Sequence, residues 1–212
     1  PTQPGKEVGK EKPQAKEEVK PQDLAKEYNE RITKAKEETP DQMWSVDKPS
    51  EAEIVDAAKG GRIVKGDGGM VMVKPDGDIV GLFKDTPGKK GVADQLMKDA
   101  VAKGGTKLDN FDGYLTKIYE RNGFRVASRI PFDPAQAPKD MPASGAAKKP
   151  DVVFMVHDPA GKIPAEQLNK KFESYDDAMK HRDSLVPEKG TGKQNEAFFT
   201  EKAAKASSDV PY

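Results

Sequence analysis

The sequence predicts an α/β (α+β) fold, a mixed sheet flanked by helices, and three observations carry that expectation. The β-forming runs Met70-Val-Met-Val73, Ile79-Val-Gly-Leu-Phe83, Arg125-Val-Ala-Ser-Arg-Ile130 and Val152-Val-Phe-Met-Val156 alternate with stretches of helical period. The first two runs flank Pro75-Asp-Gly77, whose Asp-Gly pair supplies a hairpin turn. Val92, Ala93, Leu96, Met97, Ala100 and Val101 then form an apolar helical stripe that Gly104-Gly105 stops. A helix between 79–83 and 106–111 makes a crossover, so those two strands are expected to be parallel neighbours in one mixed sheet.

The remaining elements follow in order. Residues 1–49 alternate Lys and Glu with scattered Pro and read as a disordered or extended charged arm. Within it Leu24, Tyr28 and Ile32 recur every four residues after the candidate cap Asp23, which reads either as a docking helix or as a transient one. The domain is expected over 50–158. Ser50-Glu-Ala-Glu53 has the capping-box spacing, and Ile54, Val55 and Ala58 give that helix its apolar face before Gly60-Gly61. A second helix carries Leu115, Ile118 and Tyr119 and closes at Asn122-Gly123, with Phe124 packing back on it. The Pro/Ala/Gly-rich connection over 131–150 is long enough to need a reason. Residues 159–212 read as an appendage, with a short helix from Ser174-Tyr-Asp-Asp177 to near Leu185 and a polar tail.

Composition narrows the function. With 212 residues, 34% hydrophobic and 34% charged, the chain can build one core plus long solvated segments. Basic and acidic residues both number 36, so no global field points to nucleic acid or an anionic membrane. Zero cysteines exclude disulfides and thiolate nucleophiles, and two distant histidines argue against a zinc site. No apolar run approaches a bilayer-spanning length, and the expected location is cytoplasmic. Gly190-Thr-Gly-Lys193 lacks the other residues of a nucleotide P-loop.

The stretch from Gly77 to Phe124 carries the chemistry. A strand runs into Thr86-Pro-Gly-Lys-Lys-Gly91 and a helix opens at once, so backbone N–H groups can turn toward a ligand at the positive end of that helix. That arrangement suits a pyrophosphate. Over residues 69–157 the order of elements resembles the GCN5-related N-acetyltransferase superfamily, and two motifs support the resemblance. Gly88-Lys-Lys-Gly91-Val-Ala93 is similar to the family's pyrophosphate loop, with Gly88 standing where Arg or Gln is usual. Tyr119-Glu-Arg-Asn-Gly123-Phe124 has the spacing of the family's Tyr-x-x-x-Gly-Phe helix end.

The resemblance implies acetyl-CoA as cofactor, held by Gly88, Lys89, Lys90, Gly91, Val92 and Ala93, with the two lysines supplying charge. It makes Tyr119 the candidate proton donor to the departing CoA thiolate; the competing reading is a packing tyrosine in the core. For the general base, Asp109 and Asp112 flank Phe111 near the expected acyl site, and Asp112 also reads as the cap of the next helix. His157, at a strand end, can face the cleft or the surface. The expected activity is acetyl transfer to a small amine or a protein by direct attack on the thioester. The alternative is a non-catalytic module of the same fold that binds protein partners through its N-terminal arm, as in a phage-encoded virion protein.

Overall fold

Apolar side chains alternate along the central strands and present one face to each of two helical layers. The structure is a computed structural model and describes residues 20–187. The expectations for residues 1–19 and 188–212, Gly190-Thr-Gly-Lys193 included, lie outside the described residues. Strands β1 (Ile63–Gly66), β2 (Gly69–Val73) and β3 (Ile79–Lys84) form an antiparallel sheet in that order. Strands β4 (Lys107–Phe111), β5 (Phe124–Ile130), β6 (Val152–His157) and β7 (Lys170–Lys171) form a second, ordered β4-β6-β5-β7. Strand β6 runs antiparallel to β4 and β5, and β7 runs parallel to β5.

The two sheets meet only where β3 and β4 begin. There a single parallel bridge joins Asp78 to Lys107, and the Thr106 N–H donates to the Gly77 carbonyl at 2.8 Å. No further ladder joins the two strands, so the layer is forked where a continuous sheet was expected. The parallel direction of β3 and β4 agrees with the crossover through α4 (Val92–Ala102).

A β-bulge lies beside the fork. Met70 faces Phe83 and Met72 faces Val80, so Gly81 and Leu82 together oppose Val71. Gly81 has φ +60°, a left-handed conformation that favours glycine. The extra residue reverses the alternation of β3, since Ile79 packs in one core cluster and Phe83 in the other. The first cluster lies under α4 and α5 (Tyr114–Arg121), with Val71, Leu96, Met97, Leu108 and Ile118. The second lies under α1 (Pro21–Glu38) and α3 (Glu51–Lys59), with Tyr28, Ile32, Ile54, Met70 and Met72.

Three elements differ from the sequence expectation. Residues 21–38 belong to the core: Ala25, Tyr28, Ile32 and Ala35 are buried at helical spacing. Burying Tyr28 and Ile32 contributes roughly 1.5–3 kcal/mol each, and with Ala25, Ala35 and the helix hydrogen bonds it works against the ordering entropy of the charged helix. The helix starts at Pro21 and places Asp23 in its first turn, not at the cap. Lys36 in its last turn donates to the carbonyls of Met43 and Val46, holding the short helix α2 (Pro40–Met43) and the segment after it. Helix α7 (Tyr175–Ser184) is likewise packed, with Ala178 and Arg182 buried over β5 and β6 and Ser128 Oγ donating to the Ala178 carbonyl at 2.6 Å. Strand β1, which the five-strand expectation does not include, pairs fully with β2 between the turn glycines at Gly60-Gly61 and Gly68-Gly69. The capping box at Ser50 and Glu53 forms as expected, with Ser50 donors holding the Glu53 carboxyl down at about 2.

A candidate active site at the fork

Two cavities open where β3 and β4 diverge, and they share Ser45, Val46, Leu82, Phe111 and Leu115 as a common wall. The first encloses about 800 Å³ and is lined by Asp109 and Tyr119. The second encloses about 830 Å³ and is lined by Gly88, Lys89, Lys90, Gly91, Val92 and Ala93. The fork therefore brings together the two groups of site residues read from the sequence. The long connection walls both: residues 131–138 border the first cavity, and the part from Pro142 to Pro150, including the short helix α6 (Ala143–Ala146), borders the second. Trp44 lines the second cavity, its ring 5.0 Å from that of Phe111 in the common wall.

The second cavity combines open backbone with basic side chains. Gly88 and Gly91 both have φ +76°, and a Cβ added at either would meet nothing within 4 Å, so open space lies against the backbone. The first helical bond of α4 runs from the Gln95 N–H to the Gly91 carbonyl, at 3.0 Å. The N–H groups of Val92, Ala93 and Asp94 have no hydrogen-bond partner among the described residues. Five basic residues line this cavity (Lys84, Lys89, Lys90, Arg121, Lys148) against three acidic ones. Two of the five are committed elsewhere. Lys89 pairs with Asp67, and Arg121 holds both oxygens of Asp94 at 2.6 Å, with its hydrogen bonds keeping that carboxyl at about 2.

The first cavity has the opposite sign. Asp47, Asp109, Asp133 and Glu173 line it, and none of its lining residues is basic. Tyr119 is 7% exposed, and its hydroxyl makes no hydrogen bond with any described residue. Burial, then the nearby Asp109 charge, pushes its pKa up, so the phenol keeps its proton at neutral pH. It both packs in the core, edge-on to Phe124, and lines the cavity. Asp109 leaves 32% of its side chain open, although protein surrounds it on most sides. Burial raises its pKa, while Arg182 and a hydrogen bond from the Tyr175 phenol oppose the rise.

Behind Asp109 lies a polar cluster that the sequence did not disclose. Arg182 is 1% exposed and reaches Asp78 at 3.4 Å, Asp109 at 3.7 Å and Asp183 at 2.8 Å, with its guanidinium 5.9 Å from the Phe154 ring. Burial pushes Asp78 up to about 6 against the pull of Arg182, and Asp109 adds to the rise. Lys107 pairs with Asp76 at 2.9 Å and Asp183 at 3.1 Å, which ties the strand fork to α7. A buried arginine on a weakly amphipathic helix leaves no periodic signal; only Asp78, beside the Asp-Gly turn, was open to inspection.

The other site expectations separate. Asp112 does not cap α5: Gly113 occupies the cap, its N–H donates to Thr116 Oγ1 at 3.1 Å, and Asp112 pairs with Arg129. His157 lines neither cavity and lies against Phe124, with ring centres 4.9 Å apart.

Forked sheet, glycine-lined basic cavity and acidic cavity together define an α/β protein with a two-compartment cleft. In comparison with known proteins, no protein-family model, curated protein or solved structure matches the chain. Among the described residues, no helix is long and apolar enough to cross a membrane.

Proposed function

We propose that this chain is an acetyl-CoA-dependent N-acetyltransferase of the GCN5-related type. The observation that carries the reading is the junction itself. A basic cavity with helix-end N–H groups and an acidic cavity with a buried, unpartnered phenol share one wall between two diverging parallel strands. The N–H groups of Val92, Ala93 and Asp94, with Lys90 and Lys148 nearby, would hold a pyrophosphate. The bound cofactor would supply an activated thioester. Asp109, its pKa raised by burial, is suited to take the proton from an acceptor ammonium. Tyr119 Oη, in the first cavity, would donate the proton to the departing thiolate. A calorimetric titration with acetyl-CoA tests the reading: micromolar to submillimolar binding is expected, and no binding at millimolar concentration removes it.

One observation favours a second reading, a non-catalytic module of this fold. Lys89 and Arg121 are held by Asp67 and Asp94, and Gly88 stands where the family uses Arg or Gln, so the anion cavity retains few side-chain cations. The same titration separates the two.

A further inference from the structure

Helix α7 carries Tyr175 and Arg182 seven residues apart, so two helical turns place them on one face. The Ser128 hydroxyl donates to the Ala178 carbonyl between them and fixes that face over the second sheet. His181 is engaged elsewhere, at the Gln167 carbonyl, 2.8 Å away. Tyr175 donates to Asp109, which lines the first cavity; Arg182 and Asp78 do not line it.

One nitrogen of the buried guanidinium serves two carboxylates. Arg182 Nη1 lies 3.4 Å from Asp78 Oδ1 and 3.7 Å from Asp109 Oδ1, while Nε is taken by Asp183 at 2.8 Å. A shift of that nitrogen toward either carboxylate weakens its hold on the other. Charge within the cluster is also unequal: Asp76, Asp78, Asp109 and Asp183 face two cations, Lys107 and Arg182, and Lys107 is occupied by Asp76 and Asp183. Lys74 adds a positive field at Asp78 and Asp109 but pairs with Glu53 at 3.0 Å, and Asp47 adds a negative field at Asp109. Two carboxylates left to share one desolvated cation titrate as a pair.

We propose that Arg182 is a positioning residue that couples Asp109 to Asp78: when either carboxyl takes a proton the guanidinium passes to the other, so the charge that Asp109 presents to the cavity is set from behind its wall. That Asp109 acts as a base rests on the transferase reading; the coupling does not.

Carbon-detected NMR of the full chain with ¹³C-labelled aspartate tests the proposal, with Asp78→Asn and Asp109→Asn giving the assignments. Asp78→Asn should lower the Asp109 midpoint by about 1 pH unit or more, because a like charge is lost and an opposite one is released. Asp109→Asn should lower the Asp78 midpoint in turn. In the wild-type chain the Arg182 side-chain ¹⁵N resonances should move through the same carboxyl steps. In an Arg182→Gln background the effect of Asp78→Asn on Asp109 should shrink, with circular dichroism melting used to verify folding; if that background does not fold, the wild-type ¹⁵N titration decides. An Asp109 midpoint unchanged by Asp78→Asn, or guanidinium resonances that ignore both carboxyl steps, overturns the proposal. An undiminished effect in the Arg182→Gln background assigns the coupling to direct repulsion and overturns the role of Arg182. Where acetylation is measured, Asp78→Asn should move the acidic limb of the kcat/KM profile to lower pH by the shift seen at Asp109. If acetyl-CoA fails to bind while the carboxyls titrate as a pair, the coupling stands and the role of Asp109 as a base is lost.

Discussion

The Tyr28 phenol donates a hydrogen bond to the Gly81 carbonyl at 2.7 Å, and so a helix from the charged N-terminal region holds the bulge beside the strand fork. Both groups are buried, which raises the cost of separating them. Tyr28→Phe should destabilise the chain by about 1–3 kcal/mol by leaving the carbonyl unpaired. Gly81→Ala should cost more, because φ is +60° and the new Cβ would come within 2.1 Å of Tyr28 Oη. In the double variant the clash is absent, so the two costs should sum to more than the combined loss measured by urea denaturation. Additive costs would show that Tyr28 and Gly81 are not coupled.

Helix α1 also predicts a proteolytic pattern. Its buried face covers Met70, Met72 and Phe83, so limited trypsin digestion should leave residues 21–38 attached to the domain despite their many lysines. Mass spectrometry should find the resistant fragment beginning at or before Lys20. A stable fragment starting near Ser50 would mean that the helix is dispensable for the fold.

The Asp78 environment gives a pH dependence with a definite sign. The folded chain holds the Asp78 proton up to about pH 6, whereas an unperturbed aspartate loses it near 3.8. Between those values the folded state binds more protons than the unfolded one, so rising pH lowers the contribution of Asp78 to stability. Asp78→Asn removes that loss. Relative to wild type, the variant should gain up to about 3 kcal/mol between pH 4 and pH 7, read from denaturant titrations at each pH. A difference that stays constant across this window would show that Asp78 titrates normally.

Much of this site was legible in local sequence, and the rest was hidden for identifiable reasons. Asp76-Gly77 and Ser50-Glu53 are short-range devices whose residues carry their own conformational demand, so hairpin and capping box could be read directly. The Gly88–Ala93 loop stands out as a glycine turn before a helix start, whereas Tyr119 stands out only through the resemblance of its helix end to a family motif. Helix α1 reads as part of the charged arm because half of its buried stripe is alanine, Ala25 and Ala35, among many Lys and Glu residues. Arg182 was missed because its partners Asp78 and Asp109 lie 104 and 73 positions away, and only the folded chain brings them together. The role of the long connection was invisible for the same reason. Its proline-rich sequence shows no period, yet it walls both cavities.

The catalytic reading rests on two substitutions with separable effects. Gly91→Glu places a side chain at φ +76° in the open space beside the helix-end N–H groups, and adds a negative charge where a phosphate would sit. It should abolish acetyl-CoA binding in calorimetry while costing only about 1–2 kcal/mol of stability. Tyr119→Phe keeps the ring against Phe124 and removes a hydroxyl that makes no hydrogen bond with any described residue, so stability should change by less than about 0.5 kcal/mol. If the phenol is the proton donor, that variant should bind acetyl-CoA like wild type while kcat for acetylation of the accepted amine falls roughly 10²–10⁴-fold. Unchanged kcat would remove Tyr119 from the chemistry. A large loss of stability would instead mean that its hydroxyl is part of the packing between α5 and the sheet.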